Sequence, residues 1–412
     1  MPEGIAEGIG ASVRRKEDKK YTTGKGRYTD DINRAGQLYA FFMRSNVAHA
    51  TIKKIDVSKA LTCDGVAAIY TGDDIAADGV GGPICGWTPT NRDGSAPKEP
   101  PHPLLAHSKV RYVGDHIAVV IAESLEQARS AAEKITVDLD VLPPVVDLST
   151  AIGNTQIHDE MDDNVYFDWE LGDESATASA LESAAKIVEL TVTNNRVIPN
   201  AMEPRAAVAE YDETNESYTL YTTSQNPHLT RLVMAAFMMQ IPESKLHVVA
   251  PDVGGGFGSK IYIYPEEAVC TWATKKLRRP IKWTADRSEA FLGDAHGRDH
   301  VNKVKIGLDQ DNKIVGLRVD TLANLGAYLS AFSMVTPTYL HGTLLSGCYN
   351  IPAIYTNVKG VCTTTVNVDA YRGAGRPEAT YLLERTMDYA ARQVGMDPAE
   401  FRRINFIPKD AF

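Results

Sequence analysis

Three short stretches combine residue types that can do chemistry. The first is Pro251-Asp-Val-Gly-Gly-Gly-Phe-Gly-Ser-Lys260. Its glycines allow φ > 0 and a close backbone approach, so successive N–H groups can be aimed at a phosphate or oxo anion; a tight turn without a ligand is the alternative. The second is Asp369-Ala-Tyr-Arg-Gly-Ala-Gly-Arg-Pro377. Here Gly373 and Gly375 permit close approach, and Arg372 and Arg376 offer planar forks for oxyanions. A helix opening after Pro377 adds its positive end. Pairing of these arginines with nearby carboxylates is the competing use. The third is Thr222-Thr-Ser-Gln-Asn-Pro-His228, in which the Gln225 amide can donate to an oxo ligand or serve a turn or helix cap before Pro227.

Familiar nucleotide fingerprints are absent. The loop lacks the P-loop spacing, and Gly254, Gly256 and Ser259 put serine where the third glycine of GxGxxG belongs. The five cysteines, at 63, 85, 270, 348 and 362, form no CxxC pair, which argues against zinc and iron-sulfur sites and fits reduced thiols in the cytoplasm. A formal charge of -10 disfavours a broad phosphate-binding face and hence nucleic acid. Met1 to Lys20 has no apolar h-region, and the longest apolar run, Leu232 to Met239, falls far short of the roughly 20 residues that span a bilayer. No membrane span and a cytoplasmic location are expected.

With apolar residues at 43% over 412 positions, the chain can bury a large core divided among two or three domains. Strands are expected at Leu38–Met43, Val66–Tyr70, Ile117–Ile121 and Val137–Val141, with a helix over Glu123–Lys134, which suggests a βαβ-like or split α/β unit. Asp78–His107, rich in Gly and Pro, reads as a long surface loop, and Pro143-Pro144 followed by Asp147–Gly153 as a linker. Beyond it, strands are expected at Ile187–Thr193, Tyr218–Thr222, His247–Ala250, Val315–Thr321 and Val361–Val366. Helices are expected at Leu229–Gln240, Glu266–Lys276 and Pro377–Val394. The result is a mixed α/β and α+β chain with segments 1–150 and 155–412.

The order and separation of the three stretches resemble the large subunit of the molybdenum hydroxylases, the xanthine dehydrogenase and aldehyde oxidase family with its carbon monoxide dehydrogenase-like branch. Gly26-Arg-Tyr-Thr-Asp-Asp31, Val113 to Ala118 and Pro199-Asn-Ala-Met-Glu-Pro-Arg205 extend the similarity over nearly the whole chain. The resemblance implies an amino-terminal α/β hammerhead domain followed by the first part of a molybdopterin-binding region. It implies a molybdenum-pterin cofactor, in the cytosine dinucleotide form, held without protein metal ligands. Gln225 would hydrogen-bond an oxo group, and the backbone of Gly255, Gly256, Phe257 and Gly258 would face another oxygen or the pterin. Ala370, Tyr371, Arg372 and Gly373 would wrap the metal's front, with Gln225 and Arg372 in the catalytic set.

The implied reaction is the oxidative hydroxylation of an aldehyde, N-heterocycle or similar small molecule, with water as oxygen source. Iron-sulfur clusters and FAD would reside on a small and a medium partner subunit. Departures from the family pattern narrow this. Gly373 stands where copper-type carbon monoxide dehydrogenases carry cysteine, and Ile261, Leu340 and Ala374 replace the Glu, Arg and Phe of purine enzymes. The family's large subunits continue for several hundred residues and bring a Gly-x-Gly-Glu base that has no counterpart here. Glu203 and Glu378 match structural positions. A complementary carboxy-terminal half is therefore expected as a partner. A non-catalytic remnant or assembly module is the second reading, and a nucleotide-binding transferase the third.

Overall fold

β-Branched and aromatic runs become strands, and their burial decides their place in the sheets. The structure, a computed structural model, describes residues 8–411. The first seven residues and Phe412, the outer ends of the two segments expected above, lie outside them. The first third of the chain supplies β1 (Leu38–Arg44), β2 (Ala50–Asp56), β3 (Val66–Thr71), β4 (Lys109–Val110), β5 (His116–Ala122) and β6 (Thr136–Val141). The remainder supplies β7 (Val165–Gly172), β8 (Lys186–Asn194), β9 (Ala206–Asp212), β10 (Ser217–Thr222), β11 (Leu246–Val249), β12 (Ile281–Thr284), β13 (His300–Leu308), β14 (Ile314–Gly326) and β15 (Ile354–Cys362).

A seven-stranded sheet runs β11-β10-β9-β12-β1-β5-β3, a five-stranded sheet β7-β15-β14-β13-β8, and a small one β4-β2-β6. β5 is buried at all seven positions because it lies between β1 and β3, antiparallel to both. That arrangement corrects the βαβ-like expectation. The helix Leu125–Ala132 does link β5 to β6, but with both edges of β5 occupied, the mostly exposed β6 pairs antiparallel with β2 in another sheet.

Two parallel pairings position the site. β10 and β11 run side by side in register Tyr218↔Leu246, so both exit at one edge of the sheet and bring residues 223–226 beside 250–258. β15 runs parallel to β14 and feeds, after Cys362, the turn that opens the helix Arg376–Gln393. That helix buries Leu382, Leu383 and Met387 against Val304, Ile306 and Leu317 of the five-stranded sheet. Burial of such side chains contributes about 1.5–3 kcal/mol each.

Other expectations shift in detail. The helix placed at Leu229–Gln240 is α-helical over Pro227–Val233, then widens into a π turn over Met234–Met238, where Met239 N–H donates to the Met234 carbonyl at 2.7 Å. The strand expected at Val361–Val366 ends at Cys362, because Thr364 turns away to exchange hydrogen bonds with Val145. Residues 78–107 hold no helix or strand, but the second half is not a surface loop. Leu104, Leu105 and Ala106 are buried, and His102 stacks on Tyr328 with ring centres 4.2 Å apart. No helix among the described residues is long and apolar enough to cross a membrane.

Candidate functional site

Gln225 follows β10 in a turn whose own polar groups are already used. The Ser224 hydroxyl accepts from Asn226 N–H at 3.0 Å, and the Asn226 side chain caps the next helix through Leu229 N–H at 3.3 Å. The capping role thus falls to Asn226 and leaves Gln225 free. Its backbone N–H donates to the Lys260 carbonyl at 2.8 Å, and its Oε1 accepts from Gly258 N–H at 2.9 Å. With Oε1 so occupied, the amide NH2 has no partner among the described residues and is available as a donor.

The glycine-rich loop is shaped by contacts that exclude side chains. A Cβ at Gly256 would run into the Gln225 amide, and one at Gly258 into the Ala370 carbonyl; Gly258 sits at φ +110° and Phe257 at φ +55°. The second loop zips onto the first through Arg372 N–H, which donates to the Phe257 carbonyl at 2.8 Å. Tyr262 Oη donates to the Ala370 carbonyl at 2.7 Å, fixing the same joint from below.

Together the loops line an open cleft of about 450 Å³, formed by Gln225, Gly256, Phe257, Gly258, Ile261 and the run Ala370–Ala374. Gly255 lies one residue behind this lining, near Ala201. The competing use of the arginines does not occur, since neither Arg372 nor Arg376 forms an ion pair among the described residues; Arg376 instead donates to the Gly373 carbonyl at 3.2 Å. The cleft lining carries no carboxylate and no histidine.

The two glutamates considered as bases are held elsewhere. Glu203 accepts from Gly254 N–H at 2.7 Å and from Lys260 Nζ at 3.0 Å. Burial lowers the pKa of Lys260 against the opposing pull of Glu203. Glu378 pairs with Arg298 at 3.2 Å; burial raises its pKa although Arg298 opposes it. Asp369, ahead of the second loop, is fully buried and accepts from the Ser330 hydroxyl, Phe332 N–H and Ala370 N–H. Burial pushes its pKa up to about 6.

Behind the first loop lies a buried ion network. Glu266 accepts from Arg44 at 2.6 Å, from both terminal nitrogens of Arg205 at 3.0 Å, and lies 3.0 Å from His116 Nε2. Burial alone would raise its pKa, but Arg205, His116 and Arg44 hold it well below the carboxylate range. Arg205 also covers the Tyr264 ring at 3.6 Å, and Tyr264 Oη donates to the Ser259 carbonyl at 2.6 Å. The network thus connects β1 and β5 to the glycine-rich loop. Sequence reasoning did not find Arg298, Tyr262 or Tyr264, because no local pattern marks contacts made across such sequence distances.

A donor set of one amide, backbone N–H groups and an unpaired guanidinium, around glycines that leave no room for Cβ, suits a group that brings its own metal ligands. No His, Cys, Asp and Glu grouping able to hold a metal occurs among the described residues. Comparison with known proteins agrees with this chemistry. The model of the molybdopterin cofactor-binding domain matches residues 157–406, and that of the aldehyde oxidase and xanthine dehydrogenase a/b hammerhead domain matches residues 23–143. The carbon monoxide dehydrogenase large chain of Hydrogenophaga pseudoflava is 36% identical over 96% of this chain and 50% of its own length. The nicotinate dehydrogenase large molybdopterin subunit of Eubacterium barkeri is 30% identical over 93% of this chain and 85% of its own. The crystal structure of quinoline 2-oxidoreductase from Pseudomonas putida 86 superposes with a TM-score of 0.91 at 33% identity, covering 100% of this chain and 51% of that one. The chain therefore spans about half the length of the first of these relatives. It belongs to the aldehyde oxidase and xanthine dehydrogenase family, with a hammerhead domain followed by a molybdopterin cofactor-binding domain.

Proposed function

We propose that the chain is the amino-terminal portion of the molybdenum-cofactor-binding large subunit of a hydroxylase that oxidises an aldehyde, N-heterocycle or similar small molecule, with water as the oxygen source. The observation that carries this reading is the meeting of Gln225, the Gly256–Gly258 backbone and the Ala370–Arg372 loop in one cleft. When bound there, the molybdenum-pterin group, in its cytosine dinucleotide form, supplies two-electron oxidation that these side chains cannot perform. Gln225 presents its amide NH2 to an oxygen in the cleft, Gly258 N–H fixes the orientation of that amide, and Arg372 offers positive charge at the rim. Such preorganised donors act without reorganising during the reaction.

No carboxylate lines the cleft, so the general base comes from the complementary carboxy-terminal half. Electrons leave through an iron-sulfur small subunit and an FAD-binding medium subunit, and the assembly is cytoplasmic. The division into 1–150 and 155–412 belongs to the same proposal. It is supported by one cluster of buried residues drawn wholly from 50–135 and another wholly from 188–401, while the seven-stranded sheet and its core join strands of both segments. Carbon monoxide and purines are not proposed as substrates. A Cβ at position 373 would lie 2.5 Å from Cγ of Pro377, leaving no room for a cysteine, and Ile261 and Ala374 line the cleft.

The test is dye-linked oxidation of aldehydes and N-heterocycles by the complex co-expressed with its other half. Gln225→Ala is expected to lower kcat about 10²- to 10³-fold while molybdenum content stays near wild type. Undiminished turnover in this variant removes Gln225 from the mechanism. Absence of both molybdenum and turnover in the unmodified complex favours the second reading, a non-catalytic remnant or assembly module that keeps the fold but binds no metal, which the missing carboxylate also motivates.

A further inference from the structure

Arg298 and Asp299 are consecutive non-glycine residues at φ +69°. The left-handed region costs an L-residue roughly 1–2 kcal/mol, so a pair of such residues is held there by something. Asp299 provides the anchor, with Oδ2 accepting from Arg196 Nε at 2.8 Å and from Asn324 Nδ2 at 3.0 Å. The strained turn aims Arg298 at the back of the second loop. Nη1 donates to the Tyr371 carbonyl and Nη2 to the Arg372 carbonyl, both at 3.0 Å, and the guanidinium lies 4.8 Å from the Tyr371 ring centre.

Carbonyl and N–H of a trans peptide point in opposite directions, so a group that holds one also aims the other. The Tyr371–Arg372 peptide shows this directly: its carbonyl faces Arg298, and its N–H reaches the Phe257 carbonyl on the cleft loop at 2.8 Å. In the next peptide the Arg372 carbonyl also faces Arg298, while Gly373 N–H has no partner among the described residues. Gly373 lines the cleft, as does Arg372, whose guanidinium is unpaired among the described residues. A carbonyl bonded to a cation also polarises the N–H of its own peptide into a better donor.

We propose that Arg298 is a positioning residue that turns the Arg372–Gly373 peptide so that Gly373 N–H, beside the Arg372 guanidinium, receives an anionic oxygen in the cleft. The oxygen belongs to a carboxylate on the substrate or to an oxyanionic ligand of the cofactor. The proposal rests on the functional reading only in taking the cleft as the ligand's place.

Arg372–Gly373 is the one Arg–Gly sequence in the chain. Labelling the full chain with carbonyl-¹³C arginine and ¹⁵N glycine therefore isolates the Gly373 amide in a single NMR cross-peak. Titration with sodium formate and, separately, sodium molybdate is expected to move that peak saturably, with sodium chloride as the control. Movement with formate assigns the site to a carboxylate, and movement with molybdate alone assigns it to the cofactor's oxygen. In Arg298→Lys or Arg298→Gln, neither of which can bridge both carbonyls and Glu378, binding is expected to weaken about tenfold or more. The other glycine cross-peaks report that the fold persists. A peak unmoved by either anion, unchanged affinity in a folded variant, or loss of the fold in both variants would overturn the proposal. Because the readout needs no loaded cofactor, failure to load the complex would count against the functional reading and leave this result standing.

Discussion

Gly258→Ala is expected to strip the assembled complex of most of its molybdenum and to cost about 3 kcal/mol of stability. Two physical terms act together. At φ +110° an alanine pays the left-handed penalty of roughly 1–2 kcal/mol, and its Cβ runs into the Ala370 carbonyl. That carbonyl cannot yield cheaply, since Tyr262 Oη holds it at 2.7 Å and Asp369 holds Ala370 N–H at 2.5 Å. Overpacking of this kind adds about 1–3 kcal/mol. Relief by moving the first loop would withdraw Gly258 N–H from Gln225 and break the donor arrangement of the cleft. Gly36→Ala is the control, with φ +68° but open space where its Cβ would stand. It should show the backbone penalty alone and full molybdenum. Metal analysis beside thermal unfolding checks both variants; normal loading of Gly258→Ala contradicts the loop geometry.

Acid should unfold the chain steeply between about pH 6 and pH 4. Burial drives His102, His158 and His341 down to about 3, and His116, His296 and His300 down to about 4. Their folded pKa lies below the unfolded value of about 6.5. The stability they contribute is therefore complete above that value and lost as pH falls towards the folded ones. Two carboxylates work the other way. Burial raises Asp115 to about 7 and Asp369 to about 6, so their contribution is complete below about 4 and lost as pH rises through 6 and 7. Between pH 6 and 4 the six histidines take up protons on unfolding while the two carboxylates release theirs; the histidines outnumber them, so stability falls as the pH falls. Urea unfolding from pH 7.5 to 4.5 checks the slope, and a flat profile would show these histidines protonated in the fold.

Much of this architecture could be read in advance because certain residues admit few alternatives. Ile117–Ile121, a short apolar run rich in β-branched residues, reads as a strand, and Gly254–Gly256 with Gly258 reads as a loop that permits close approach or a tight turn. The resemblance rested on Gln225 and the two loops, and these residues line one cleft. What escaped was long-range or chemically mixed. β13 alternates buried and exposed residues, but its buried face begins with His300 and Asn302, which hides the apolar period. β9 opens Ala206-Ala-Val-Ala, where three alanines of low strand propensity surround one valine and all four are buried because β10 and β12 flank them. The local order of β5, helix and β6 says nothing about which sheet each strand joins. Arg298 lies more than 70 residues from the carbonyls it holds, and the left-handed positions are Arg298 and Asp299 themselves, not the preceding Gly297.

The proposed role as half of a molybdenum enzyme is tested most directly by molybdenum and pterin analysis of the chain purified together with the polypeptide that supplies the carboxy-terminal half. Stoichiometric metal and pterin in that complex is the predicted result. A stable complex that contains neither would contradict it.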